Sequence, residues 1–278
     1  MNQLPPVPPV TLSDGVVIPQ VGLGVWQVPD EQATDVVRVA LEAGYRSVDT
    51  AAAYGNERGV GEALRTSGLD RDEYYVTTKV ANSDHGFEPT IAACHHSLRR
   101  LGLDHIDLYL IHWPRPKRDR YVDTWRAFAA LKAEGLVRSI GVSNFQPAHL
   151  ARLVEETGVV PAVNQVELHP RLQQADLRAV HEAQGIATEA YSPLGQGTLL
   201  SDPTLDVLAQ RHGVSVAQVI LRWHLQLGNI VIPKSATPAR IWTNIDLFGF
   251  RLDDADMATI GELDSGSRLG GHPDEFDA

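Results

Sequence analysis

Short apolar runs rich in β-branched residues alternate along this chain with longer stretches whose apolar positions recur every three or four residues. VTTKV (76–80) and IDLYLIH (106–112) have the first character, EQATDVVRVALEAG (31–44) and EPTIAACHHSLRRLG (88–102) the second. The first kind suits parallel strands covered on both faces, and the second suits amphipathic helices laid over them. Eight strand–helix units can be counted from QVGLGV (20–25) to NIVIPKS (229–235) and the helix after it, the seventh carrying an extra short helix near TLDVLAQRHG (204–213). Gly44, Gly68, Gly135, Gly185 and Gly228 stand where helices should end, since a left-handed cap costs least without a Cβ. Ahead of the repeats, TLSDGVVIP (11–19) sets Asp14-Gly15 between apolar runs, which predicts a hairpin with a two-residue turn. The pattern predicts an α/β fold: a (β/α)8 TIM barrel with an N-terminal β-hairpin capping its bottom. After a last helix around DDADMATIGELDS, the Gly-rich tail SGSRLGGHPDEFDA (265–278) is the one segment expected to be mobile.

A length of 278 residues fits one such barrel, so residues 1–278 are read as a single domain, and 43% hydrophobic residues supply one large core. No run approaches the roughly 18 apolar residues of a membrane span. MNQLPPVPPV lacks a basic start and is broken by prolines, so it does not read as a signal peptide. The lone cysteine, Cys94, cannot form an internal disulfide and reads as an apolar filler; a cytoplasmic enzyme follows as the expectation. A net charge of −11 speaks against nucleic acid or an anionic membrane as partner, because both ask for a basic face. Arg115, Lys117, Arg118 and Arg120 are a local exception, either a solvated loop or a lure for anions at the barrel mouth.

Four polar residues fall at or just past strand exits: Asp49, Tyr54, Lys79 and His112. Barrels of this kind carry their chemistry at the C-terminal ends of strands, so the four can converge. A Lys ammonium about 4 Å from a phenol is worth roughly 4 kcal/mol at an effective dielectric near 20, or about three pKa units. Lys79 can thus acidify Tyr54 into a general acid. Asp49 holds Lys79 charged and offsets part of that pull, so the expected depression is smaller than the Coulomb figure. A metal-dependent hydrolase built on Glu167, His169 and the pair His95-His96 is an alternative, although adjacent helical histidines point about 100° apart. No metal site is therefore expected.

The motifs GYRSVDTAAAYGNE, IHWP, SIGVSNF, NQVELHP, YSPLGQG and IPKS, spread from end to end, resemble the aldo-keto reductase family. The GVVPAVNQVELHP run and the HPDE tail are similar to its bacterial 2,5-diketo-D-gluconate reductase-like subgroup. The resemblance implies NADPH-dependent reduction of aldehydes, ketones, dicarbonyls or keto-sugar acids to alcohols, with ordered binding. It assigns catalysis to Asp49, Tyr54, Lys79 and His112, His112 being the neutral donor that fixes the carbonyl oxygen. No G-x-G-x-x-G lies between a strand and a helix, so NADPH/NADP+ must be held otherwise. By resemblance Lys234 and Ser235 meet the 2′-phosphate, Arg240 the adenosine end and Asn244 the adenine, although Thr243 replaces the Glu common before it. Ser143, Asn144 and Gln165 match the carboxamide contacts, Tyr191 the nicotinamide stack, and Leu194 and Gly195 the backbone beside the pyrophosphate.

Trp26 and Trp113, with Tyr54 and His112, are expected to wall the substrate pocket. Ala81 and Asn82 stand where many relatives have an aromatic, which implies a wider or more polar entrance, and His272 and Phe276 of the tail are candidate contacts as it closes over the site. The partner is a small carbonyl compound; the family suggests a monomer. A redox-sensing barrel that binds NADPH and regulates a protein partner is the competing class.

Overall fold

The computed structural model describes residues 6–277. Strands β1 (Pro9–Thr11) and β2 (Val17–Pro19) pair antiparallel as the hairpin. Eight parallel strands follow, each beside its sequence neighbour: β3 (Leu23–Gly24), β4 (Ser47–Asp49), β5 (Tyr75–Val80), β6 (Ile106–Ile111), β7 (Val137–Ser143), β8 (Val163–Glu167), β9 (Ala187–Tyr191) and β10 (Ile230–Val231). Parallel bridges Val21–Val231 and Gly24–Lys234 join the two ends into a barrel. Glycine is needed at that seam, because a Cβ on Gly24 would lie 2.7 Å from the Ile232 carbonyl oxygen.

The outer layer comprises α1 (Asp30–Glu42), α2 (Glu57–Arg65), α3 (Phe87–Leu101), α4 (Tyr121–Ala133), α5 (Pro147–Thr157), α6 (Ala175–Gln184), the extra α7 (Pro203–His212), α8 (Val216–Gln226) and α9 (Pro238–Ile245), with α10 (Asp254–Gly261) after them. Their apolar faces and the outward faces of the strands bury Val37, Val48, Trp125, Phe128, Ile220 and Trp223 among others. Cys94 belongs to this layer, and burial pushes its thiol up to about 12.

Inside the barrel, a second cluster of Tyr75, Leu108, Leu110, Val163 and Ile230 is plugged by Leu12 and Ile18 of the hairpin. The bottom cap is thus as expected, but its turn is not. Gly15 N donates to Leu12 O (2.9 Å) and Leu12 N to Val16 O (2.8 Å), which leaves Ser13, Asp14 and Gly15 as a three-residue loop. A two-residue type I′ turn needs positive φ at both Asp14 and Gly15, and only Gly15 has it, at +84°. Asp14 instead spends its carboxylate on Lys132 (2.5 Å) and Ser139 (2.8 Å), fastening the cap to α4 and β7.

The tail expected to be mobile is fastened at successive points. Ser265 N and Ser267 N donate to Arg171 O, Leu269 N and Gly270 N donate to Glu167, and Asp277 pairs with Arg115 and Arg118. The first five residues of the N-terminal stretch read above, and Ala278 of the tail, lie outside the described residues.

Candidate active site

Asp49 ends β4, Lys79 lies one residue before the end of β5, and His112 follows β6, so three adjacent strands bring these side chains to one end of the barrel. Tyr54 closes the short 3-10 turn Ala52–Tyr54 just after β4. Lys79 Nζ donates to Asp49 Oδ1 at 2.7 Å and to Thr50 O at 3.0 Å, and stands 3.5 Å from the Tyr54 hydroxyl. The imidazole of His112 meets the Tyr54 ring edge to face, centroids 5.7 Å apart. All four predicted residues therefore converge.

The electrostatics correct one expectation. Burial raises the Tyr54 phenol above its ordinary value of 10.0; Lys79 pulls it down, but Asp49 pushes it up again. With Lys79 adjacent, the cost of an anion in a dry site still outweighs the Coulomb gain, so the resting phenol holds its proton more tightly than a free tyrosine. Burial likewise raises the Asp49 carboxyl against the pull of Lys79. Burial works against the Lys79 cation too, yet Asp49 and Tyr54 hold it above its usual range. We take the pair as ionised, since a neutral Asp49 would leave a fully buried ammonium facing only neutral acceptors. His112 is pushed down to about 3, first by burial and then by Lys79 and His85, so it is a neutral imidazole.

Beside this cluster the strand ends β7, β8 and β9 carry a bonded strip. Ser143 Oγ donates to Gln165 O (2.8 Å), Asn144 Nδ2 to His112 O (3.0 Å), and the Tyr191 hydroxyl to Asn144 Oδ1 (2.8 Å). Asn144 has φ +65°, a left-handed conformation that Asn adopts more readily than most residues. Gln165 Nε2 donates to both Asp49 Oδ2 (2.7 Å) and Glu189 Oε2 (2.8 Å), so the two amide hydrogens are both engaged and its carbonyl oxygen lies on the other side of the amide. Leu194 and Gly195 follow β9 in a loop where Ser192, Gly195, Gln196 and Gly197 all have positive φ.

Across the seam, Lys234 and Arg240 are exposed beside the start of α9, and no carboxylate pairs with either among the described residues. Ser235 is buried and its Oγ accepts from Thr237 N at 3.1 Å. Asn244 is buried on α9, whereas Thr243 is exposed and donates back to Ala239 O (2.9 Å), so it offers no carboxylate there.

Trp26 is 41% exposed, and Trp113 stacks on Phe276 of the tail at 4.0 Å between centroids. His272 instead serves the tail's own turn, its Nδ1 accepting from Asp274 N at 3.3 Å. The basic loop is partly spent on the tail: Arg115 and Arg118 bind the Asp277 carboxylate at 3.0 and 3.1 Å, and Arg115 also donates to Asn82 O, next to Ala81. Glu167 and His169 bond to each other (3.1 Å), and Glu167 accepts the tail amides of Leu269 (2.6 Å) and Gly270 (2.8 Å). His95 and His96 are exposed on the outer helix α3, so the residues named for a hydrolase do not assemble.

Two residues here, Asn56 and Glu189, escaped the sequence reading, and Glu167, read there as a possible metal ligand, has another role. Asn56 accepts from Thr50 Oγ1 (2.6 Å) and donates to Val25 O and Val28 O (both 2.9 Å), tying the Tyr54 loop to the Trp26 loop. Its place in YGNE was the available signal. Glu167 as a tail anchor and Glu189 as a buried neighbour of Asp49 carried none beyond a charged residue inside an apolar strand, which for Glu189 in IATEAY was legible.

The profile of the Aldo/keto reductase family matches residues 20–265. An aldo-keto reductase of Mycobacterium sp. (strain KMS) is 58% identical over 97% of this chain and 98% of its own. Methylglyoxal reductase DkgA of Escherichia coli (strain K12) is 49% identical over 96% of this chain and 97% of its own. A mutant of Gox0644 crystallised with NADPH superposes with a TM-score of 0.95, at 46% identity, over 99% of this chain and all (100%) of the other.

Proposed function

Because the chain belongs to the aldo/keto reductase family, we propose Tyr54 as proton donor, Lys79 and Asp49 as the pair that governs it, and His112 as the group that orients the carbonyl. The enzyme is an NADPH-dependent oxidoreductase that reduces carbonyl groups to alcohols. NADPH, when bound, supplies the hydride to the carbonyl carbon. The chain suits that cofactor: two exposed cations, Lys234 and Arg240, stand beside a helix start without carboxylate partners among the described residues, where a 2′-phosphate is well received. Ser235 and Asn244 would complete that end, with Leu194 and Gly195 along the pyrophosphate. Ser143, Asn144 and the Gln165 carbonyl would fix the carboxamide, Tyr191 backing the ring.

The observation that carries the reading is the Tyr54 hydroxyl 3.5 Å from a Lys79 ammonium that is itself held by Asp49 at 2.7 Å. A donor must hold its proton before the reaction and release it as negative charge builds on the substrate oxygen. Burial secures the first condition, and Lys79 stabilises the phenolate that follows. Neutral His112 donates an N–H to the same oxygen and sets the carbon toward the hydride.

Trp26, Trp113, Tyr54 and His112 form the proposed substrate walls, with Phe276 stacked on Trp113. Since Asp277 engages both Arg115 and Arg118 and offsets one of their two positive charges, acidic keto-sugars gain less from that loop, and we place small uncharged dicarbonyls and aldehydes first. The methylglyoxal reductase relative supports the same order. We also read the chain as a cytoplasmic monomer; sedimentation of the purified protein tests the second half of that reading. NADPH oxidation with dicarbonyls, aldehydes and keto-sugar acids tests the function. Tyr54→Phe should lose about 10²–10⁴-fold in turnover with NADPH affinity unchanged, and NADH should be the poorer cofactor. Undiminished turnover in that variant would overturn the assignment of Tyr54.

A further inference from the structure

The barrel interior holds a buried carboxyl that this scheme leaves unused. Glu189 sits in the middle of β9, in register with Gln165 on β8, which is in register with Ser143 on β7. Gln165 Nε2 donates to Asp49 Oδ2 at 2.7 Å and to Glu189 Oε2 at 2.8 Å. Asp49 Oδ1 in turn takes Lys79 at 2.7 Å, and Lys79 faces Tyr54 at 3.5 Å. Tyr54, Lys79, Asp49, Gln165 and Glu189 are one unbroken chain of polar contacts. Its geometry dictates the orientation of Gln165, because turning that amide over would set its oxygen against two carboxyl oxygens. Glu189 Oε1 is shut from solvent and has no hydrogen-bond partner among the described residues, which suits a carboxyl that carries its proton on that atom.

We propose that Glu189 is a positioning residue for carbonyl reduction: its carboxyl fixes which way Gln165 points, and its charge is felt through Gln165 and Asp49 by the Lys79–Tyr54 pair. This rests on the reading of Tyr54 as proton donor and Gln165 as a cofactor contact. The titratable groups that feel Glu189 are Asp49, Lys79, Tyr54 and Tyr75. Burial, and then Asp49, lift its carboxyl from 4.5 to about 7. Below that value the site holds one carboxylate against one ammonium. Above it a second negative charge makes both Tyr54 and Lys79 hold their protons more tightly, since each is raised by Glu189. Proton donation, and the reduction that depends on it, should therefore slow as Glu189 ionises.

Two substitutions separate the two roles. Glu189→Gln keeps an acceptor for Gln165 but cannot ionise; Glu189→Leu removes both. Single-turnover oxidation of NADPH by methylglyoxal should fall about tenfold in the wild type as pH rises through neutrality, and stay near the low-pH wild-type rate in Glu189→Gln. NADPH affinity, read by fluorescence, should weaken about tenfold in Glu189→Leu and change less than about threefold in Glu189→Gln. Carboxyl 13C NMR of the enzyme without cofactor should show one glutamate titrating near neutrality, absent from Glu189→Gln. A wild-type pH profile in Glu189→Gln, or no such glutamate signal, overturns the proposal. Should Glu189→Leu fail to fold, the Glu189→Gln profile and the NMR titration decide. A wild type that reduces no carbonyl would instead sink the functional reading, while the NMR and affinity measurements would still report on Glu189.

Discussion

At the N-terminal end of the barrel, Leu12 and Ile18 of the hairpin plug a layer made by Leu108, Leu110, Val163 and Ile230, whereas nearer the C-terminal end β4, β5, β8 and β9 turn Asp49, Lys79, Gln165 and Glu189 toward one another. The carboxylates at the two ends are treated just as differently. Asp107, at the start of β6, accepts from Arg71 (2.6 Å), Arg138 (3.3 Å) and Val76 N (2.8 Å), and both arginines reach solvent. Among the described residues Asp49 has one cation, Lys79, which is itself buried, its side chain 1% exposed. A carboxylate that serves only the fold can take a partly hydrated partner. One proposed to serve a reaction in a dry site is held by a partner whose own charge is costly, and apolar packing elsewhere must offset that cost.

Lys79→Met should break this contrast most severely. It removes the group that stabilises the Tyr54 phenolate and leaves Asp49 buried without a cation. The loss in reduction should reach about 10²–10⁴-fold, and the stability cost roughly 3–5 kcal/mol in chemical denaturation. Adding Asp49→Leu to that variant should recover much of the stability and none of the activity. If Lys79→Met alone costs no stability, the pair is not ionised in the folded protein and the account of the upper layer fails.

Ile18→Ala sharpens the comparison from the other end. Ile18 is fully buried in the inner apolar cluster, and none of the hydrogen bonds that link Lys79, Asp49, Gln165 and Glu189 runs through it. Truncating it should cost about 2–4 kcal/mol through lost burial and the cavity left behind. Turnover and NADPH affinity at a temperature where the variant stays folded should match the wild type. A parallel fall in turnover would mean that the plug positions the upper layer rather than only anchoring the barrel.

The lower layer and the outer helices were legible because periodicity reports burial directly: VTTKV and IDLYLIH could hardly be anything but covered strands. The tetrad was legible because four polar residues at strand exits have no packing reason to be there. What stayed hidden depended on distance through space. Nothing in TLSDG distinguishes a two-residue from a three-residue loop, since the backbone angle at Asp14 is decided by its bonds to Lys132 and Ser139, more than a hundred residues away. The sign of the Tyr54 shift depended on how dry the site is, which pairwise charges alone do not reveal. The basic loop could not disclose that its own chain supplies the anion, because Asp277 lies 162 positions from Arg115.

The tail offers the mildest test. Glu167 is held below the ordinary carboxylate range because hydrogen bonds from His169, Leu269 N and Gly270 N outweigh the effect of its burial. Glu167→Gln keeps the volume but trades a charged acceptor for an amide, one of whose faces is itself a donor, so one of the two tail amides loses its partner. Hydrogen bonds to charged groups are worth about 1.5–3 kcal/mol, and the stack of Phe276 on Trp113 adds about 0.5–1.5 kcal/mol that the variant retains. With Arg115 and Arg118 still gripping Asp277, the tail should loosen without leaving. KM for a small dicarbonyl should rise about three- to tenfold with kcat within about twofold, because the affected contacts bind substrate and transition state alike. Hydrogen exchange at Leu269 and Gly270 should quicken while the barrel strands stay protected. Unchanged exchange at those two amides would show that the tail is held by its aromatic and arginine contacts alone, leaving Glu167 to bond His169 inside the barrel mouth.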